Sequence, residues 1–376
     1  MERYLTHQVL SDLKDKMVFL GGPRQVGKTT LALGLLRSDS EKDAAYFNWD
    51  SRRGKEFVRN SELPNEPLIV LDEIHKYKHW RNFVKGLFDT NRSSYRFLIT
   101  GSARLDYYRR GGDSLQGRYH FLRLHPLSLD ELSKTPSHKD FATLLRFGGF
   151  PEPYFAGSEV KWQRWQNERM DRIVQEDLLT LERVREISQI QLLLQSLPSR
   201  VGSKLSIKSL QEDLHVAFET VEKWILIFEN LYVCFRIPPY STSLFRTAKK
   251  ERKLYLWDWS ACESEGAKFE NMVASHLLKF CHYRLDSKGE KWELRFLKDS
   301  DGNELDFLLL KNGKIECAIE CKLGEIQVPP QFARFVEKLK IRKAYVVHSK
   351  DQHITDGKTG IESIPFWKWC GKFGTR

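Results

Sequence analysis

An α/β fold built on a parallel sheet is predicted for the first third of the 376-residue chain, and three observations predict it. Short apolar runs such as Met17–Leu20 and Leu68–Leu71 contain no polar residue, as expected of strands buried on both faces. Stretches of helical character, Trp80 to Thr90 among them, alternate with these runs and call for crossover helices. A glycine-rich turn joins the first strand to the first helix, Thr30 to Leu36. Further strands are expected over Ala44–Asp50 and Tyr95–Ala103.

The turn reads Gly22, four residues, then Gly27-Lys28-Thr29. Glycines let the backbone curl so that several N–H groups converge on phosphate oxygens. Lys28 would reach the β- and γ-phosphates, and the Thr29 hydroxyl would ligate Mg²⁺. The helix that follows turns its amino end toward the phosphates. The expected nucleotide contacts are therefore Gly22, Pro23, Arg24, Gln25, Val26, Gly27, Lys28, Thr29 and Thr30, and the expected cofactors are ATP and Mg²⁺.

A second motif ends the Leu68–Leu71 strand in Asp72-Glu73. Asp72 would share the Mg²⁺ with Thr29. Glu73 would orient and deprotonate the attacking water. At the end of the Tyr95–Ala103 strand, Thr100 or Ser102 would hydrogen-bond the γ-phosphate or the lytic water. Arg104 and Arg118 are candidates for neutralising charge on the γ-phosphate.

Composition narrows the class of protein. A length of 376 residues suits two or three domains. The apolar content, 41%, suffices for buried cores. No run approaches the ~20 apolar residues that cross a bilayer, and Met1–Tyr4 show no secretory pattern, so a cytoplasmic location without membrane partners is expected. The six cysteines form no C-x-x-C pair and read as buried free thiols. The formal net charge of +11 permits binding to nucleic acid or another acidic surface.

The segments "GGPRQVGKTTLA", "LIVLDEIHKYKHWRNFVKGLFD", "FLITGSARLD", "SLQGRYHFLRLHPLSLDEL" and "LRFGGFPEPY" occur in that order. In this the chain resembles a large family of prokaryotic AAA-type ATPases. That family joins an ATPase module to a C-terminal domain resembling restriction-endonuclease folds. The resemblance extends from about Tyr4 to about Val347 and is most specific in the first 155 residues. It implies that the phosphate-loop strand lies beside the Tyr95–Ala103 strand, which lies beside the Asp72 strand. It also implies a helical lid, a winged helix and a nuclease-like domain. Arg118, in "SLQGR", corresponds to the arginine-finger candidate, and Gly148 to Tyr154 mark the exit from the ATPase core.

Between Ile187 and Pro239 the period is helical, with Ile190, Leu193, Leu194 and Leu197 on one face. A helix with Leu210 and Leu214, a turn at His215-Val216, a helix from Thr220 to Glu229 and a strand from Tyr232 to Ile237 have the cadence of a winged helix-turn-helix. The exposed acids Glu219, Glu222 and Glu229 would weaken contact with phosphate, so packing, lid or oligomerisation duty is favoured over reading of DNA sequence. Arg246, Lys249, Lys250, Arg252 and Lys253 form a basic run suited to backbone contact or to a solvated loop.

Further on, Asn312-Gly313 is a hairpin signal. Glu304 and Asp306 share one face of the first strand, and Glu320 and Lys322 share one face of the second. Glu270 lies on a preceding helix; a helix at Gln331–Leu339 and a strand at Ala344–His348 follow. Helix, three strands, helix and strand with D…E-x-K is the pattern of the PD-(D/E)XK superfamily. There Asp306 and Glu320 would hold a metal, Lys322 would position a water and Glu270 would be an outer acid. The expected division is an ATPase core over 1–135, a helical connector over 136–185, a winged-helix-like module over 186–245 and the PD-(D/E)XK-like domain over 246–376. The expected function is an ATP-driven switch acting on nucleic acid or a protein partner, with homo-oligomers open. Its rivals are an ATP-regulated DNA nuclease and a non-cleaving adaptor.

Overall fold

A computed structural model of the chain describes residues 1–101, 115–174, 187–241 and 251–375. The chain divides into two compact units, Met1–Pro126 and Leu127–Arg376.

The first unit begins with α1 (Thr6–Asp12) and continues through β1 (Met17–Gly21), α2 (Lys28–Leu33), β2 (Tyr46–Asn48), α3 (Arg52–Asn60), β3 (Leu68–Asp72), α4 (Trp80–Asn91), β4 (Arg96–Thr100) and β5 (Tyr119–Arg123). The five strands form one sheet in the order β2-β3-β4-β1-β5, and every pairing is parallel. This is the doubly covered parallel sheet of the P-loop NTPase fold. The apolar runs explain it. All five residues of β1 are buried, as are four of the five in β3 and in β4. Strands this apolar are stable only with both faces covered. On one face Met17, Phe19, Ile69, Leu71, Phe97 and Ile99 pack with Trp80, Val84, Leu87 and Phe88 of α4, whose spacing of four, three and one places them on one side of the helix.

One close approach in this unit makes a sharp prediction. A Cβ on Gly54 of α3 would stand 1.9 Å from the Asn48 carbonyl oxygen at the end of β2. Gly54→Ala must push α3 off β2 and is expected to destabilise the unit by about 1–3 kcal/mol or more, the usual range for overpacking. Denaturant titration of the variant beside the wild type measures this.

The second unit starts with α5 (Leu129–Leu132), α6 (His138–Phe147), α7 (Pro151–Ala156) and α8 (Glu159–Arg172). It continues with α9 (Ile187–Ser196), α10 (Ile207–Leu214), α11 (Phe218–Asn230) and the antiparallel pair β6 (Cys234–Ile237) and β7 (Lys253–Leu256). His215, at the end of α10, takes φ of 53° and turns the chain into α11. The boundary expected between residues 245 and 246 thus falls between two strands that pair with each other. Glu229 of α11 is held by the Arg236 fork at 2.8 Å on each oxygen.

The long helix α12 (Glu265–Lys288) then leads into β8 (Trp292–Lys298), β9 (Glu304–Lys311), β10 (Lys314–Lys322), α13 (Pro330–Lys338) and β11 (Ala344–His348). The strands β12 (Ile354–Thr355) and β13 (Glu362–Pro365) complete a mixed sheet ordered β12-β13-β11-β10-β9-β8. The element order helix, three strands, helix, strand is the one expected. Asn312 and Gly313 both take positive φ, 52° and 79°, as a tight two-residue hairpin requires. The core on one face joins Phe332, Phe335 and Val336 of α13 to Leu305, Leu308 and Val346. All six cysteines are free, five of them buried. Among the described residues no helix is long and apolar enough to cross a membrane.

Buried polar groups on α12 grip the start of this unit. Lys279 donates to Ser128 Oγ at 2.6 Å and pairs with Glu131. The Leu129 N–H donates to His276 Nε2 at 3.1 Å, while His276 Nδ1 meets the Met272 carbonyl at 2.8 Å. An imidazole that accepts at one nitrogen and donates at the other is neutral. Burial pushes its pKa from 6.5 down to about 4. An unfolded chain therefore takes up a proton that the folded chain refuses, so stability falls as pH drops from 6.5 toward 4. The loss reaches at most about 3 kcal/mol at 1.36 kcal/mol per unit. His276→Gln is expected to flatten this limb when denaturation midpoints are measured across that range.

Candidate functional site

Site construction begins at the carboxyl end of β1. Gly22 takes φ of 139°, Gln25 60° and Gly27 96°, so the chain curls before α2 begins at Lys28. Gly27 is the N-cap of α2, and the unsatisfied N–H groups of a helix start face an incoming anion. Gly22 has no room for a side chain, because a Cβ there would stand 2.4 Å from the Leu124 carbonyl oxygen. The Lys28 ammonium folds back over this curl and donates to the carbonyls of Gly22 at 3.0 Å and Pro23 at 2.6 Å.

The parallel register brings the second motif alongside. Asp72 lies level with Thr100 on β4 and with Asn48 on β2. Three hydroxyls converge on its carboxylate. Thr29 donates to Oδ2 at 2.8 Å, Tyr46 donates to the same oxygen at 2.8 Å, and Thr100 donates to Oδ1. The Tyr46 pKa is raised, first by burial and then by the Asp72 charge. Tyr46 was not among the expected site residues. Its place on β2 opposite Val70, two positions before Asp72, is what aims it there.

Glu73 takes φ of 55°, unusual for a residue with a side chain. Its N–H donates to the Thr100 carbonyl at 3.0 Å. Its carboxylate lies 3.4 Å from Lys76 Nζ and 3.7 Å from the buried His75 Nε2. Burial raises its pKa, and the Lys76 ammonium opposes the rise. The donor set fits a magnesium nucleotide: a hydroxyl and a carboxylate within 2.8 Å, an ammonium in the loop, and a second carboxylate one residue on.

Arg118 is not part of this constellation. It precedes β5, whose Tyr119 is level with Met17 at the amino end of β1, whereas the loop leaves the carboxyl end. Five residues of strand separate the two ends, about 16 Å at the usual rise. The Arg118 guanidinium instead forks onto Asp89, at 2.8 and 3.0 Å. Within its own chain Arg118 thus stands at the edge of the sheet opposite the loop. Ser102 and Arg104 lie outside the described residues, as do Arg246, Lys249 and Lys250.

In the second unit the four expected acid-cluster residues come together, with an addition. Asp306 Oδ2 accepts from the Cys321 N–H at 2.8 Å, and Lys322 Nζ lies 3.2 Å from Glu320. At the centre stands Lys253, expected in an exposed basic run and in fact 1% exposed. Its ammonium lies 3.2 Å from Glu270 and 3.8 Å from Asp306, and pairs with Glu304. Tyr255, two residues on, donates to Glu270 at 2.7 Å. Burial lifts Glu270 to about 7 and Glu320 to about 8, with the Asp306 charge adding to both. One expectation is corrected here: Lys253 is buried in β7 and unavailable to a nucleic-acid backbone. The three carboxylates expected around a metal lie close together, with the Lys253 ammonium against Glu270 and Asp306 and the Lys322 ammonium against Glu320. Among the described residues no group of three or more His, Cys, Asp or Glu is arranged to hold a metal ion.

Sheet order and phosphate loop together give the first unit the P-loop NTPase fold. Residues 14–133 match a family model described as an AAA domain. Residues 138–264 and 265–369 match two domains of unknown function, DUF8612 and DUF4143. The chain is similar to the uncharacterized protein MJ1544 of Methanocaldococcus jannaschii, 23% identical over 403 residues that cover 95% of this chain and 88% of that one. It is 25% identical over 244 residues to the uncharacterized protein Rv2008c of Mycobacterium tuberculosis, covering 64% of this chain and 54% of that protein. Solved structures that resemble it include the Aeropyrum pernix ORC1 protein in complex with DNA, with 16% identity, 72% of this chain and 91% of that chain covered, and a TM-score of 0.34. The Thermotoga maritima RuvB Holliday junction branch migration motor covers 59% of this chain and 82% of its own, with 16% identity and a TM-score of 0.30.

Proposed function

We propose that the first unit binds ATP with Mg²⁺ and hydrolyses it, and that the cycle serves as a switch acting on nucleic acid or a protein partner. The observation that carries this reading is the 2.8 Å approach of the Thr29 hydroxyl to the Asp72 carboxylate beneath the curled loop. The N–H groups of the loop and of the start of α2 receive the phosphates. Lys28 exchanges its two backbone carbonyls for β- and γ-phosphate oxygens. Thr29 and Asp72 hold the Mg²⁺, which when bound neutralises charge on those oxygens. Glu73 orients a water in line with the γ-phosphate and takes its proton, so that ATP and water give ADP and inorganic phosphate.

Calorimetry with ATP and with GTP in magnesium tests binding, and phosphate release tests turnover. Lys28→Ala is expected to abolish both signals. Equal phosphate release by the variant and the wild type would remove the proposal. Of the readings for the second unit, the non-cleaving one is favoured, because the Lys253 ammonium already lies against Glu270 and Asp306. If nucleic acid is the partner, the net charge of +11 should give a log affinity that falls linearly with log salt. Filter binding at two salt concentrations, with gel analysis of the same DNA for cleavage, separates this adaptor from a protein-only scaffold.

A further inference from the structure

We propose that Arg3 is a positioning residue that couples the phosphate loop to the segment by which the chain leaves the first unit. The inference rests on the ATP-binding reading above and names the residue through which that switch is transmitted.

Both ends of the loop are pinned to residues 124–125. At its start, the Leu124 N–H donates to the Gly21 carbonyl at 2.9 Å, and Gly22 lies flat against the Leu124 carbonyl. At its far end, Arg3 Nη1 donates to the Val26 carbonyl at 2.8 Å, and Nη2 donates to the His125 carbonyl at 2.6 Å. One buried guanidinium thus spans the loop and the exit segment. Tyr4 adds a second tie: its hydroxyl donates to the Arg123 carbonyl at 2.5 Å and accepts from the His125 N–H at 3.2 Å. A planar fork with fixed donors suits two carbonyls at once, which a lysine cannot reproduce.

The chain beyond His125 is short and stiff. Pro126, with its locked φ, is the last residue of the first unit. The next three residues are already held inside the second unit. Leu127 N donates to the Gly149 carbonyl at 2.6 Å, Ser128 Oγ accepts from Lys279 at 2.6 Å, and Leu129 N donates to His276 at 3.1 Å. When Lys28 releases the Gly22 and Pro23 carbonyls to meet phosphate, the loop resettles. The Val26 carbonyl moves with it, and Arg3 carries that displacement to His125. Only Pro126 then separates His125 from backbone fixed in the second unit. A lone buried salt link would not have this property. It is the double carbonyl bridge, one end on the loop and one on the exit, that makes Arg3 a coupler.

Hydrogen exchange of the full chain tests this, with and without Mg²⁺ and a non-hydrolysable ATP analogue at saturation established by calorimetry. In the wild type, nucleotide is expected to slow exchange both at loop amides 24–30 and at amides 121–129, the latter about fivefold or more, the lower end of usual inter-site coupling. Arg3→Ala is expected to keep protection of the loop and lose it at 121–129. Arg3→Lys, which reaches one carbonyl at a time, is expected to keep the fold and lose part of the exit protection, and it carries the test should Arg3→Ala fail to fold. Exit protection undiminished in both variants overturns the inference. So does a wild type whose loop is protected while 121–129 are not. A wild type that binds no nucleotide in the calorimeter overturns the ATP reading itself.

Discussion

Glu73→Gln is expected to leave ATP binding intact and to slow hydrolysis by about 10²–10⁴-fold, the range for loss of a positioned general base. Glutamine keeps the shape of the side chain, so the turn at φ of 55° and the N–H bond to the Thr100 carbonyl should persist. What it removes is the ability to accept a proton. Burial raises the Glu73 pKa above the ordinary carboxylate value, so the carboxylate takes up a proton at a higher pH than an exposed glutamate. The wild-type rate should therefore decline on acidification earlier than an ordinary glutamate base would allow, and the residual rate of the variant should lack that limb. Single-turnover phosphate release across pH, with calorimetric affinity as the control, measures both effects. An unchanged rate in the variant would move the base to another residue.

The Asp72-Glu73 pair was legible because its chemistry is contiguous. Four apolar residues ending in two acids specify a buried strand and its carboxyl end together. The same holds for Gly22 to Thr29. What sequence does not display is which distant groups converge on these residues. Tyr46 reaches Asp72 across 26 positions and Arg3 reaches His125 across 122, and neither pairing leaves a periodic trace. Arg118 is a different case. A parallel sheet runs every strand in one direction, so a residue just before β5 must stand at the edge opposite the loop.

The basic run ending in Lys253 misled for a physical reason as well. Charge runs usually face solvent, but β7 has all four residues buried. Its alternation carried the signal: Lys253 and Tyr255 share a face, and both turn to Glu270. The hairpin at Asn312-Gly313 was legible from its turn residues, but the facing of Asp306 and Glu320 also depends on a one-residue register shift between Ile315 and Cys317, which the turn does not set.

Lys253→Met is expected to destabilise the second unit by about 3–5 kcal/mol at pH 8, as removing one partner of a buried charge cluster does. Methionine keeps the length and apolar stem of the side chain, so the loss isolates the ammonium. Without it Glu270 and Asp306 lose their nearest ammonium, while Glu304 keeps Lys298 at 3.4 Å. In the wild type burial already lifts Glu270 to about 7, against an ordinary 4.5. The folded state thus holds a proton that the unfolded chain has lost between those values, and stability from this group falls as pH rises through them. Removing the ammonium pushes the same carboxyl higher still. The difference between wild type and variant should therefore be largest at pH 8 and shrink toward pH 5, where Glu270 is protonated and needs no cation. Adding Glu270→Gln to the variant should recover part of the loss, because it removes one of the opposed charges. Native-state hydrogen exchange at β9 and α12 amides reads the second unit separately from the first. A pH-independent difference would show that the methionine had merely disturbed packing in β7, and the ammonium would then not be the cation around which these carboxylates fold.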